Sequence, residues 1–130
     1  MSVFERLSVY QPYALAALRI ATALLFIEHG TMKLFAFPIS QGEGGPLPPL
    51  MLVAALLEFV GGLAILVGFL TRPVAFILSG EMAVAYFMAH MPLGFYPSVN
   101  QGESAILYCF VFLFLVFSGA GAFSLDNRNA

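Results

Sequence analysis

The sequence is short of charge. Only 9% of its 130 residues are Asp, Glu, Lys or Arg, where an ordinary soluble domain carries roughly 25%. The shortage affects both signs, since 5 basic and 7 acidic residues leave a net charge of −2. No basic run is present, which excludes a nucleic-acid-binding surface. There is one cysteine, Cys109, so an intrachain disulfide, a CxxC redox pair and a cysteine-based zinc cluster are all excluded. There are two histidines, His29 and His90, in neither HxxxH nor CxxCH spacing, and no metal site is expected. Cys109 sits among apolar neighbours and reads as an inert thiol.

What fills the chain is apolar. The hydrophobic fraction is 61% and the mean hydropathy is +0.94. The length suits one domain, residues 1–130. Four apolar stretches stand out, at about 12–35, 50–70, 73–91 and 103–122, near the ~20 residues needed to cross a ~30 Å hydrocarbon core. Each is apolar on nearly every face instead of along one stripe. As a soluble bundle it would bare large greasy surfaces. The expected fold is therefore all-α, an integral membrane four-helix antiparallel bundle.

Punctuation supports that division. Pro38, Gly42, Gly44, Gly45, Pro46, Pro48 and Pro49 separate the first two spans. The short stretch Thr71–Arg72–Pro73 makes spans two and three antiparallel neighbours. PLGFYPSVN, 92–100, separates spans three and four. Arg19 interrupts the first span and no convincing cleavage site follows, so that span is retained and not removed as a signal peptide. Four spans place both termini on one side. Arg6, Arg72 and Arg128 fall there, whereas the two connections on the other side hold Glu43 and no lysine or arginine. The positive-inside rule puts the termini in the cytoplasm, with Lys33 the one dissenting charge.

The chain is organised around LRIATALLFIEHGTMKLF, 18–35, which carries Arg19, Glu28, His29 and Lys33. Charged groups at membrane depth face a bundle interior, a polar cavity or one another. Counting ~1.5 Å per residue places Glu28, Glu58 and Glu81 near the midplane. Arg19 lies toward the cytoplasm, and His29, Lys33, His90 and Glu103 lie toward the outer side. Nine residues put Glu28 nearly opposite Arg19 on their helix. Arg19 is therefore expected to neutralise Glu58 or Glu81, because guanidinium grips carboxylate with two donors. Lys33 serves the outer groups or snorkels to the headgroups. Tyr86 and His90, four apart, share a helical face on which they can hydrogen-bond. Gly30, Gly61 and Gly62 read as close-packing positions. For Arg19 and the three glutamates two readings stay open. One is a polar network that fixes helix register; the other is a pocket for a small or lipid-soluble substrate, with a proton path. Shielding several polar groups with four short helices also points to a homo-oligomer.

These residues carry a resemblance that covers nearly the whole chain. The stretches 18–35, LEFVGGLAILVGFLTR at 57–72, AYFMAHMPLGFYPSVNQGE at 85–103 and GAFSLD at 121–126 resemble the DoxX family of small four-span membrane proteins. The family pattern matches Arg19, then His29, Gly30 and Lys33, then Glu58, Gly61 and Gly62, then His90, and finally Gly102 and Glu103. The resemblance implies a protein of the bacterial cytoplasmic (inner) membrane. Some of the family are membrane subunits of a thiosulfate:quinone oxidoreductase, and others are linked to complexes that couple thiol redox to detoxification of reactive oxygen. It therefore implies a subunit or accessory of a quinone-linked or thiol-redox system. Quinone is the candidate cofactor, and redox proteins and membrane lipids are the candidate partners. A quinone needs an apolar cleft with a few polar contacts. A small transporter or proton-coupled carrier using the buried glutamates is the alternative, and a structural role in membrane assembly is a third.

Overall fold

The computed structural model describes residues 1–40 and 46–128; Gly42, Glu43, Gly44 and Gly45 of the first connection lie outside them. The first helix is longer than the sequence suggests. α1 runs Val3–Phe35, 33 residues, as a turn of α-helix at Val3–Arg6, a 3-10 turn at Leu7–Tyr10 and an α-helix at Gln11–Phe35. Ser2 and Glu5 start it with reciprocal side-chain-to-backbone hydrogen bonds of 3.2 and 2.6 Å, a capping box. The expected start near residue 12 marks instead where burial sets in: residues 1–14 are exposed and Ala16 is buried. Ala36 ends α1 in the left-handed conformation and returns its N–H to the Thr31 carbonyl.

α2 runs Pro49–Val67, with proline in the first turn, where no N–H is needed. Gly68 closes it at φ +70°. The turn to α3 is Gly68–Leu70, not the expected Thr71–Arg72–Pro73. Those residues form the first turn of α3, Thr71–Leu93, a position that tolerates proline. α2 and α3 each contain one π-helical turn, at Leu57–Gly61 and Tyr86–His90. The expected break after α3 holds a short helix, α4, at Pro97–Asn100. α5 runs Glu103–Ser118, four residues short of 122. Gly119 and Gly121, at φ +78° and +76°, turn the chain back across the bundle end.

The long helices alternate in direction. Gly30 abuts Phe59, Ile27 abuts Gly62, and Arg19 reaches Leu66, so α1 and α2 are antiparallel. Arg72 meets Val116, Ser79 meets Cys109, and Tyr86 meets Gly102, so α3 and α5 are too. A Cβ on Gly30 would lie 2.8 Å from the Phe59 nitrogen, and one on Gly62 2.6 Å from Ile27 Cγ1. Only glycine permits that approach of α1 to α2. Phe26, Ile65, Leu78, Phe112 and Leu115 fill the interior. Leu24, Phe76 and Phe110 stand more than half exposed at mid-span, which is the inverse of a water-soluble surface. The molecule is an α-helical membrane bundle of three long apolar helices and one shorter one.

Candidate functional site

The two buried cations of α1 find different partners. Arg19, wholly buried, donates from Nη1 to the carbonyls of Ala120 and Ala122, and from Nη2 to those of Phe123 (2.8 Å) and Leu66 (3.4 Å). The expected Arg19–glutamate pairing is thus corrected: backbone carbonyls take the guanidinium. The reason is the glycine-rich tail, which folds under the bundle and aims the carbonyls of Ala120, Ala122 and Phe123 at the guanidinium. The fork of five N–H donors on arginine suits such a set.

Lys33 makes the ion pair instead. Its Nζ lies 2.7 Å from Glu58 Oε1, with side chains 10% and 4% exposed. Glu58 sits in the π-helical turn of α2, and such turns recur at functional sites. Glu81 of α3 lies against Glu58, with both carboxyl oxygens buried and no hydrogen-bond partner. His29 packs edge-on to Tyr108 at 5.9 Å, and Tyr108 packs edge-on to Phe26 at 5.2 Å. Lys33, Glu58 and Glu81 thus form a polar cluster, with His29 and Tyr108 beside it, on the side of the bundle away from the termini. One ammonium faces two carboxyls there.

Glu28 does not join it. Its side chain is exposed, so the expected burial at the midplane fails because the helix turns that position outward. Glu103 is likewise exposed, in the first turn of α5. Tyr86 and His90 do not bond each other. Their rings stack at 6.3 Å and both bond Asn100, which is 1% exposed. Asn100 Nδ2 donates to Tyr86 Oη and the Gly94 carbonyl, His90 Nδ1 lies 3.1 Å from the Asn100 carbonyl, and the Gly102 N–H donates to Asn100 Oδ1. Sequence reasoning missed Asn100. A polar residue between a proline break and a glycine was the available signal.

Asp126 was missed as well. Its carboxylate accepts from the N–H groups of Leu70 and Thr71 at 2.9 Å each, capping α3 from a distant part of the chain. Burial alone raises its carboxyl pKa. The Thr71 hydroxyl and N–H, the Leu70 N–H and the Arg19 charge outweigh that and hold it below the ordinary carboxylate range.

An apolar groove of about 470 Å³ runs along the α2–α3 seam, lined by Val53, Leu56, Leu57, Val60, Gly61, Val74, Ile77 and Leu78. None of the polar cluster lines it. Gly61 and Leu78 nevertheless touch and lie one helical turn from Glu58 and Glu81 respectively. Chemically, the cluster offers an ammonium donor and a carboxyl acceptor side by side, next to a seam that accepts a hydrocarbon chain.

Comparison with known proteins gives one family and several relatives. Residues 14–91 match the DoxX family. An uncharacterized protein of Haemophilus influenzae is 50% identical over 129 residues, covering 95% of this chain and 96% of that one. Inner membrane protein YqjF of Escherichia coli is 34% identical, covering 84% of this chain and 86% of its own. Inner membrane protein YphA of the same species is 30% identical over 91% of each. No solved structure matches.

Proposed function

The chain belongs to the DoxX family, and on that footing we propose that it is an inner-membrane accessory subunit of a redox system, holding the head group of a quinone-class carrier at Lys33, Glu58 and Glu81. The observation that carries this reading is the Glu81 carboxyl, buried with nothing but the neighbouring Glu58 carboxyl to meet it. A buried acceptor of that kind is costly until a donor reaches it. A hydroquinone O–H is such a donor. Lys33 has three N–H donors and gives one to Glu58, which leaves others for a quinone carbonyl. The isoprenoid tail follows the apolar seam past Gly61 and Leu78. Reduction of the quinone takes two electrons and two protons. The electrons come from a partner redox protein, since a lone Cys109 cannot cycle between dithiol and disulfide. Two relatives are named inner membrane proteins, and the positive-inside bias of Arg6, Arg72 and Arg128 supports cytoplasmic termini.

The carrier alternative is less well supported. Phe26, Ile65, Leu78 and Phe112 close the interior between the cluster and the terminus-bearing side, and the tail held by Arg19 lies beyond them. Among the described residues only the buried Thr22 and Ser79 hydroxyls stand on that path, and no carboxyl or cation continues it.

Binding of a short-chain hydroquinone to the chain in lipid nanodiscs tests the reading. Glu81→Leu should weaken binding about tenfold, as the loss of one buried hydrogen bond implies at ~1.5 kcal/mol. Glu28→Gln, at an exposed position, should leave it unchanged. Equal binding by both variants, or none by the unaltered chain, would overturn the proposal.

A further inference from the structure

α1 overshoots the bundle. Its 33 residues span about 50 Å at ~1.5 Å per residue, against the ~30 Å of a hydrocarbon core. Its far end stays level with α2, because Gly30 packs on Ala55 and Phe59. The surplus therefore lies at the near end, where Val3–Tyr10 extends past the last packed turn and is exposed throughout. The arm is two-faced. Val3, Phe4 and Leu7 share a side at helical spacing, and Leu7 and Tyr10 eclipse across the 3-10 turn. Glu5 and Ser8 occupy the other side, and Arg6 lies between the two with Val9 near it. Phe4 is 82% exposed. A ridge of that kind in water is unfavourable, yet the capping box of Ser2 and Glu5 shows the arm built to begin as a helix.

We infer that Val3–Tyr10 is an interfacial anchor that lies on the terminus-bearing surface of the same bilayer, with its Val3–Phe4–Leu7–Tyr10 ridge in the headgroup–acyl boundary. Continuity decides the occupant. The arm emerges directly from a membrane-spanning helix, at the level where Tyr13 packs on Phe123 and Leu70 stands exposed. Amphipathic aromatic rings gather at that depth. Charge agrees: among the described side chains Arg6, Arg72 and Arg128 face this side against Glu5 and Asp126, which favours anionic headgroups. The 3-10 turn at Leu7–Tyr10 interrupts the α-helix between the arm and the span, and in this inference it is where the arm bends onto the surface. Short amphipathic helices with an apolar ridge bind membrane surfaces in this way.

The test is the full chain with Cys109→Ser, carrying single nitroxide labels at Phe4, Leu7 or Ser8 in nanodiscs containing anionic lipid. All three positions are exposed, so the bundle is undisturbed. Labels at positions 4 and 7 should be reached several-fold better by oxygen, which enters lipid, than by a water-soluble nickel chelate. Position 8 should show the reverse. Preference for the chelate at every position would place the arm in water and overturn the proposal. Shielding of positions 4 and 7 from both probes, present only with more than one chain per disc, would assign the ridge to a second copy and overturn it equally.

Discussion

Arg19 and Lys33 sit on one helix, both buried, and are satisfied in opposite ways. Arg19 hydrogen-bonds only to neutral carbonyls, contributed by the tail and the end of α2, with the Asp126 carboxylate near but not bonded to it. Lys33 meets a carboxylate, with a second carboxyl close behind. A delocalised guanidinium spreads its charge over several acceptors, whereas a compact ammonium concentrates it on one. The terminus-bearing end is consequently the more heavily bonded joint, with only Arg19 Nε and Thr71 Oγ1 left buried without a partner among its described side-chain atoms. The other end has acceptor capacity left over. That difference separates a structural cation from a candidate ligand-binding one more sharply than depth does.

The comparison can be broken most forcefully at Arg19. Arg19→Met should cost about 3–5 kcal/mol, because several carbonyls lose a donor at ~1–3 kcal/mol each. Chemical unfolding in nanodiscs measures it. Arg19→Lys should recover little, since one ammonium cannot address four dispersed acceptors. Combined with Glu58→Gln or Glu81→Gln, the Arg19 loss should add within ~0.5 kcal/mol; a larger coupling would mean that Arg19 serves the acids after all. At the other end, Lys33→Met should cost about 1–2 kcal/mol, the range for polar contacts between membrane helices. Glu58→Gln should restore part of that loss in the same assay, and strict additivity would remove the ion pair from the account. Gentlest is Asp126. Its folded pKa lies below the unfolded value, so its contribution is present above about pH 4 and disappears as the pH falls through the lower folded value. An acid titration of stability should lose that slope in Asp126→Asn, and an unchanged slope would assign acid sensitivity elsewhere.

The helices were legible because spanning a membrane demands apolar length and little else. Pro49 marked the start of α2 by plain backbone chemistry, whereas its end came at Gly68, short of the expected residue 70. The partners of Arg19 were not legible, since they are carbonyls, which every residue carries and no letter reports. Glu28 shows a second limit. Spacing correctly set it opposite Arg19, but which side of the helix faces the interior depends on where the other three pack. The π turns add a third, because an extra residue in one turn rotates everything beyond it. On α3 Tyr86 and His90, at the two ends of the π turn, stack on each other but make their hydrogen bonds with Asn100.

Arg19 and its tail acceptors lie 101 to 104 residues apart, and this separation is also an interval of time. At a synthesis rate of ~5–20 residues per second, the first span leaves the ribosome about 5–20 seconds before the carbonyls of 120–123 exist. Throughout that interval the insertion machinery handles a helix whose guanidinium has none of its tail acceptors. The nascent bundle is complete only once the tail has been threaded beneath it. A chain halted before Ala120 would carry every membrane span and still present an unquenched cation to the quality-control proteases of the membrane.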